Sequence, residues 1–351
     1  MKEYKIIHIL DRIYNQTGIK YQFIYNVDWE KISTHKPLSE NFIIEFKDNL
    51  NWKLISIHQK LSENFICDFK YYVNWSYISK FQTLSEDFIR NFQNEVDWKL
   101  ISIHQKLSEN FICDFKSYVN WYYISKFQIL SEDFIREFQN EVYWENVSIY
   151  QNISENFIQE FQNVVRLGKI CIFQKLSENF IREFQNEVYW DYISKYQKLS
   201  ENFIREFQNE VSWCYICEHQ KLSPEFIKEF DLVIDEDSWL YKDSKFKERQ
   251  VVKTGLYECH GDYFIAYKSI RNDRYSFLNF QYQYLKGGIY ECHCDTTKDE
   301  NSFGLSAWTE EEAKNFHSRG LIVKVKIKYE DVGRVVHKGG KIRCFKFEVL
   351  D

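Results

Sequence analysis

"KLSENFIREFQNEV" occupies residues 175–188 and returns unchanged at 198–211. Weaker copies run along most of the chain, so a fixed period is the first feature to interpret. Indexed on its serine, the repeat places Ser39, Ser62, Ser85, Ser108, Ser131, Ser154, Ser177, Ser200 and Ser223 at intervals of 23 residues, without a slip. Three residues after each serine stands Phe, followed by Ile, and a second Phe comes at offset seven. Together with Val or Ile at offset eleven, Leu50 in the first unit, these positions fall on one face of an α-helix, helix B.

The start of helix B is written into the serine. Ser is a favoured N-cap, because its hydroxyl satisfies an orphan backbone N–H, and the Glu that follows suits the positive end of the helix dipole. Pro224, directly after Ser223, stands at a first helical position, where a missing N–H costs nothing. Leu before each serine, with Ile153 before Ser154, and Ile four residues after it make a hydrophobic staple. A second segment such as "NWKLISIHQ" at 51–59 lies between successive B helices and reads as a short helix A. Its tryptophan recurs in register at Trp29, Trp52, Trp75, Trp98, Trp121, Trp144, Trp190 and Trp213, and Leu167 stands where one is missing.

Helices this short are marginal alone and need neighbours to cover their apolar faces. The expected fold is therefore mostly α: an α-solenoid of about nine 23-residue helix-turn-helix repeats over residues 28–235, followed by a small α+β domain over 236–351. Residues 1–27 form an N-terminal cap, with 16–27 read as a degenerate helix B. Gly168 inside a helix A suggests a hinge or simple sequence decay. Residues 52–73 and 98–119 differ only at Tyr71 versus Ser117, which points to duplication of a 46-residue pair and means that identical polar residues need not reflect function.

Nineteen residues after the serine register comes a ring: His58, Phe81, His104, Phe127, Tyr150, Phe173, Tyr196 and His219, with His35 as the first member. Either these rings close the core beside the A–B turn, or they form an aromatic stripe suited to gripping an extended peptide. The eight from His58 to His219 are the candidate protein-binding residues. Gln59, Gln82, Gln105, Gln128, Gln151, Gln174, Gln197 and Gln220 follow at the next position and are expected to hydrogen-bond the tight turn or each other.

Hydrophobic residues make up 44% of the 351-residue chain and aromatics 19%, so burial is ample and disorder is not indicated. A net charge of −6 disfavours a general nucleic-acid binder. No apolar run reaches membrane-spanning length and none resembles a secretory signal, so a cytoplasmic protein without membrane attachment is expected. Nine irregularly placed cysteines fit reduced thiols better than a disulfide framework.

Beyond Ser223 the pattern changes. Period-two alternation in "GLYECHGDYFIAYKSI" at 255–270, "GGIYECHCD" at 287–295, "LIVKVKIKY" at 321–329 and "KIRCFKFEVL" at 341–350 predicts strands, with "HKGGK" at 337–341 as a hairpin turn. "WTEEEAKNFHSRG" at 308–320 predicts a helix with Thr309 as N-cap, Glu312 closing a capping box and Gly320 as the stop. Cys259, His260, Cys292, His293 and Cys294 are zinc-ligand types, yet neighbours on a strand point to opposite faces and no paired C-x₂-C knuckle exists there. Cys214, Cys217 and His219 form C-x₂-C-x-H, but Cys217 replaces a recurrent serine and His219 belongs to the ring register. No metal or other cofactor is expected. "SFGLSAW" at 302–308 lacks the glycine of a nucleophile elbow and its Phe303, Leu305 and Trp308 read as core, so no catalytic residue is assigned. Tyr257, His260, Tyr290, His293 and Glu312 form a weak pocket constellation.

The units typified by "KLSENFIREFQNEVYWDYISKYQ" resemble tandem repeats of uncharacterised proteins of giant DNA viruses related to mimiviruses, over roughly residues 28–235. The tail, with "FQYQYLKGGIYECHCD", "NSFGLSAWTEEEAKNF" and "LIVKVKI", is similar to a small uncharacterised domain of phage and giant-virus proteins, and in outline to ADP-ribosyltransferase-like folds. The resemblance implies a viral protein in the host cytoplasm or the virion. Sequence and resemblance together lead to a non-enzymatic interaction scaffold that binds an unidentified protein partner, such as a host factor. The alternative is a nucleotide-binding or ADP-ribosyltransferase-like enzyme in the C-terminal domain, targeted by the repeats.

Overall fold

Each recurrent serine does cap a helix. In the computed structural model Ser39, Ser62, Ser85 and Ser108 accept hydrogen bonds from the backbone N–H of the phenylalanine three residues on, at 3.1–3.3 Å. Residues 2–35, 37–235, 238–277, 282–316 and 320–351 are described, with the backbone alone for 2–7. The expected domain boundary after residue 235 abuts Glu236 and Asp237, and the first residues of "FQYQY" and the "HSR" before Gly320 likewise fall outside the described residues. The described chain is mostly helical, in a regular 23-residue repeat, with a C-terminal antiparallel sheet. It packs as two compact units, Met1–Val142 and Tyr143–Asp351. No helix among the described residues is long and apolar enough to cross a membrane.

In the first unit, helix A runs Trp52–His58, Trp75–Phe81, Trp98–His104 and Trp121–Phe127, and helix B Glu63–Asp68, Glu86–Asn91, Glu109–Asp114 and Glu132–Glu137. Successive A helices pack side by side. Ile55, Ile78, Ile101 and Ile124 of helix A, and Ile66, Ile89, Ile112 and Ile135 of helix B, are fully buried. Each tryptophan packs over the phenylalanines of the next helix B, with Trp52 at 5.4 Å from Phe69 and Trp98 at 4.9 Å from Phe115. Its indole N–H donates to the carbonyl five residues earlier, so the half-exposed ring is anchored at both ends.

Three polar positions bind each unit to the next. The buried Gln82 amide donates from Nε2 to the carbonyls of Ser56 and Gln59, and its Oε1 accepts from the Leu61 N–H. Gln105 makes the same three hydrogen bonds with the unit before it, and Gln59 bonds the Ser33 and His35 carbonyls and the Leu38 N–H. The glutamate after each cap serine accepts from the next serine's N–H, as Glu40 does from Ser62 at 2.6 Å. Ser33, Ser56, Ser79 and Ser102 of helix A accept the N–H that opens the following helix A. The repeated polar letters are thus largely used inside the array, where buried backbone groups must be paired.

The N-terminal segment departs from expectation. Residues 16–27 do not form a helix B: a 16-residue helix, Lys2–Thr17, ends where Gly18 adopts a positive φ of 69°, and only a 3₁₀ turn follows at Ile24–Asn26. Ile13 of that helix is fully buried, and Gln16 hydrogen-bonds Pro37 and Ser39.

In the second unit the same pattern runs from Trp144–Tyr150 to Trp213–His219 and closes with Pro224–Glu229. Gly168 lies within an intact helix A, Leu167–Phe173, and a Cβ there would meet the rings of Tyr189 and Tyr192 at 3.5 and 3.7 Å. The ninth unit has no successor to supply a glutamine. Tyr241 substitutes: its hydroxyl donates to the Gln220 carbonyl at 3.2 Å and accepts from the Leu222 N–H at 3.4 Å.

The sheet that follows comprises β1 Glu258–His260, β2 Tyr263–Ile270, β3 Ile289–Glu291, β4 Leu305–Trp308, β5 Leu321–Lys328, β6 Val332–Val336, β7 Lys341–Cys344 and β8 Lys346–Val349. The order is β3-β8-β5-β2-β4-β7-β6, all pairs antiparallel, with β1 added to β2. The segment at 255–270 splits at Gly261-Asp262 into a hairpin, and 341–350 splits at Phe345. Strands β4 and β6 lie where no strand was expected, because β4 follows a loop and is only four residues long. Thr309 caps the helix Glu310–Phe316 through the Glu312 N–H.

Candidate protein-interaction surface

Helix A ends with the ring, so helix geometry places the rings of the first unit from His58 to Phe127 four residues beyond Leu54, Tyr77, Leu100 and Tyr123 on the same face. In the first unit Tyr77 stacks on Phe81 at 5.9 Å and Tyr123 on Phe127 at 6.1 Å. Phe81, Phe127 and His58 are half-buried, whereas His104 is exposed. Lysines flank this row: Lys53 lies over Tyr77 and Lys99 over Tyr123, each reaching from one unit to the next, while Lys80 covers Phe81 and Lys126 covers Phe127. Each such cation–π contact contributes about 0.5–1 kcal/mol at an exposed site. The outcome is a row of rings and ammonium groups at one edge of the A layer.

Charge separates with the helices. Segments 51–61, 74–84, 97–107 and 120–130 carry Lys53, Lys60, Lys80, Lys99, Lys106 and Lys126 against Asp97 alone. The B segments from 39 to 142 carry fourteen carboxylates and five basic side chains. These lysines escaped the 23-residue reading because they alternate between two positions. Lys53 and Lys99, like Lys80 and Lys126, are 46 residues apart, so the signal belongs to the duplicated pair.

In the second unit the register ends differently. Tyr150 and Tyr196 are half-buried, Phe173 is 41% exposed, and His219 is 1% exposed. Phe303, from the loop before β4, packs against Tyr196 at 4.9 Å, His219 at 5.7 Å and His293 at 5.4 Å. The last two ring positions are therefore covered by the C-terminal part of the same chain. Acids accompany the ring: Asp295 Oδ1 lies 3.7 Å from His219 Nδ1, and Glu291 pairs with Lys198 at 3.6 Å.

The loop that carries Phe303 is held from behind by Arg343, which is fully buried on β7. Its Nη1 donates to the carbonyls of Asp295 and Thr297, its Nη2 to that of Asp299, and its charge lies 3.7 Å from the Asp295 carboxylate. Burial opposes ionisation of Asp295, but hydrogen bonds from Ser302 and Thr297 and the Arg343 charge outweigh it and hold this carboxyl below its usual range. Burial lowers His219 despite Glu218 and Asp295, and lowers His293 to about 4 with help from the His219 charge. Both imidazoles are neutral near pH 7.

The reactive-looking cysteines do not converge. Among the described residues no group of three or more His, Cys, Asp or Glu is arranged to hold a metal ion. Cys259 and His260 are exposed on β1, Cys294 and Cys344 are buried with thiols pushed up by desolvation, and Cys214 is exposed. Tyr257 donates to the Gly339 carbonyl, while Tyr290 packs with Tyr282, Tyr284 and Phe347 around β3, a strand that does not neighbour β1. Lys268 is buried among Tyr284, Trp308 and Phe347, donates to the Ser306 carbonyl, and is lowered to about 8 by desolvation. An open cleft of about 360 Å³ lies between turn residues Asn152 and Lys175 and β3 residues Tyr290 and Glu291. Compared with known proteins, the chain matches no family model, and neither a curated protein nor a solved structure matches it.

Proposed function

We propose that this chain is a non-enzymatic protein-interaction scaffold, in which the 23-residue helix pairs stack as an α-solenoid and a surface of the A helices receives a protein partner. One observation carries the reading. The repeated Gln, Glu and Ser side chains turn inward to bind unit to unit, whereas the ring and lysine positions of helix A are repeated at the surface. A half-exposed row of rings flanked by cations suits a protein ligand, since aromatic side chains supply large contact area at low entropic cost. In the viral setting that the resemblance implies, the partner is a host factor in the cytoplasm.

The test is comparative capture. Immobilised full-length chain and its Phe81→Ser/Phe127→Ser variant are incubated with the same cell lysate. Proteins retained by the first and lost with the second support the scaffold, and identical capture profiles exclude this surface.

A further inference from the structure

Two imidazoles are shut between the last two repeats and the sheet. Neither ring nitrogen of the buried His219 has a hydrogen-bond partner among the described residues, and the Nε2 of His293 is buried and unpaired as well. His293, just after β3, hydrogen-bonds the Lys195 backbone of the preceding helix A, Trp190–Tyr196. Phe303 packs against both imidazoles and against Tyr196. Unpaired buried polar groups are uncommon and call for an explanation. We infer that His219, His293 and Phe303 form an acid-released latch: it is closed while both imidazoles are neutral, and their protonation parts the Phe303 loop from the last two repeats. This goes beyond the scaffold reading and does not depend on it.

The surrounding charges set the direction. His219 is faced by Glu218 at 3.3 Å and the Tyr215 ring from its own helix, by Lys195 from the preceding helix A, and by Asp295 at 3.7 Å and His293 from the segment after β3. His293 is faced by His219, Lys198 and Asp295. The main acid is not free to follow a new charge. Asp295 is committed to Thr297, Ser302 and Arg343, and Lys198 is paired with Glu291. Burial outweighs Glu218 and Asp295 at His219, and burial with the His219 charge outweighs Asp295 at His293, so both rings bind protons less readily closed than open. The closed state is therefore complete above about 6.5 and weakens as pH falls below it. With His293 held at about 4 against 6.5 when free, opening is favoured about twentyfold more at pH 5 than at pH 7.

The test is hydroxyl-radical footprinting of the full-length chain at pH 7 and pH 5, quantified by residue with mass spectrometry. Tyr71, 90% exposed, is the internal reference, and Phe111, 1% exposed, reports global unfolding. Labelling of Phe303 relative to Tyr71 is expected to rise about threefold at pH 5, less than the shift in equilibrium because Phe303 is only half-buried when closed, while Phe111 stays unlabelled. His219→Phe/His293→Asn, which keeps a ring in the register and a donor toward Lys195, is expected to remove most of that rise. Constant Phe303 labelling, a rise in step with Phe111, or an equal rise in the variant overturns the latch. Should the variant be labelled at pH 7 as heavily as the native chain at pH 5, imidazole NMR of the native chain decides. Both rings are then expected to titrate only as Phe303 becomes labelled, and either ring titrating near 6.5 while Phe303 stays protected overturns the proposal.

Discussion

Gln105 is 5% exposed, and its amide makes three hydrogen bonds to backbone groups of the preceding unit, at 2.8–3.1 Å. Gln105→Ala leaves those groups unpaired in a buried turn, where each unsatisfied group costs about 1–3 kcal/mol. Water that enters the vacated space recovers part of this, so a loss of about 3 kcal/mol in urea unfolding is expected, against about 0.5 kcal/mol or less for exposed Asn94→Ala. The histidines give a pH test. A base whose folded pKa lies below its unfolded value binds fewer protons in the native state, so stability is complete above about 6.5 and declines as pH falls toward 4. Melting temperature is therefore expected to drop between pH 7 and pH 5, and His219→Phe, which places a ring found elsewhere in the register, is expected to blunt the drop. A melting temperature that is level across that window would contradict burial of neutral imidazoles.

At the scale of elements, short helices persist here because each end is specified. Serine caps open each helix B and Asn or Asp caps open the A helices of the first unit, whereas the A helices from Trp144 onward start without a side-chain cap; the glutamine at the close of helix A is held by the unit before. Helix Leu167–Phe173 lacks a side-chain cap, carries Leu for Trp and contains Gly168, yet it keeps the same length as its neighbours. A methyl group at 168 meets Tyr189 at ordinary contact distance, so Gly168→Ala is expected to stabilise by up to about 1 kcal/mol through helix propensity. Chemical denaturation reads this directly, and a destabilised variant would show that the Tyr189 and Tyr192 rings need the gap.

The whole molecule tests the periodicity itself. Deleting Ser85–Leu107, one complete unit, joins Leu84 to Ser108 and restores the serine caps and the glutamine–backbone bonds in register. That protein is expected to fold, with a lower urea midpoint, whereas deleting residues 85–96 alone removes one helix B and leaves the A layer mismatched. Circular dichroism with urea titration distinguishes the two. The repeat was legible because one period fixes cap, core face and turn together, and Ser39 to Ser223 never slip. Strands β4 and β6 were less legible, since β4 is a four-residue strand inside the sheet and β6 a short edge strand, and neither shows clean alternation. The covering of Tyr196 and His219 by Phe303 was hidden for another reason: nothing local in "NSF" at 301–303 marks a residue that packs against rings 107 and 84 positions earlier.

Tyr241 has a consequence for inheritance. Because one phenolic oxygen takes up the Gln220 carbonyl and the Leu222 N–H, two of the three backbone groups that a following amide would bind, the terminus recognises backbone groups that every unit shares. Unequal recombination can lengthen or shorten the gene by multiples of a module without redesigning the stop, so variation in copy number among descendants is structurally permitted, and repeat number becomes a trait that selection can adjust in discrete steps.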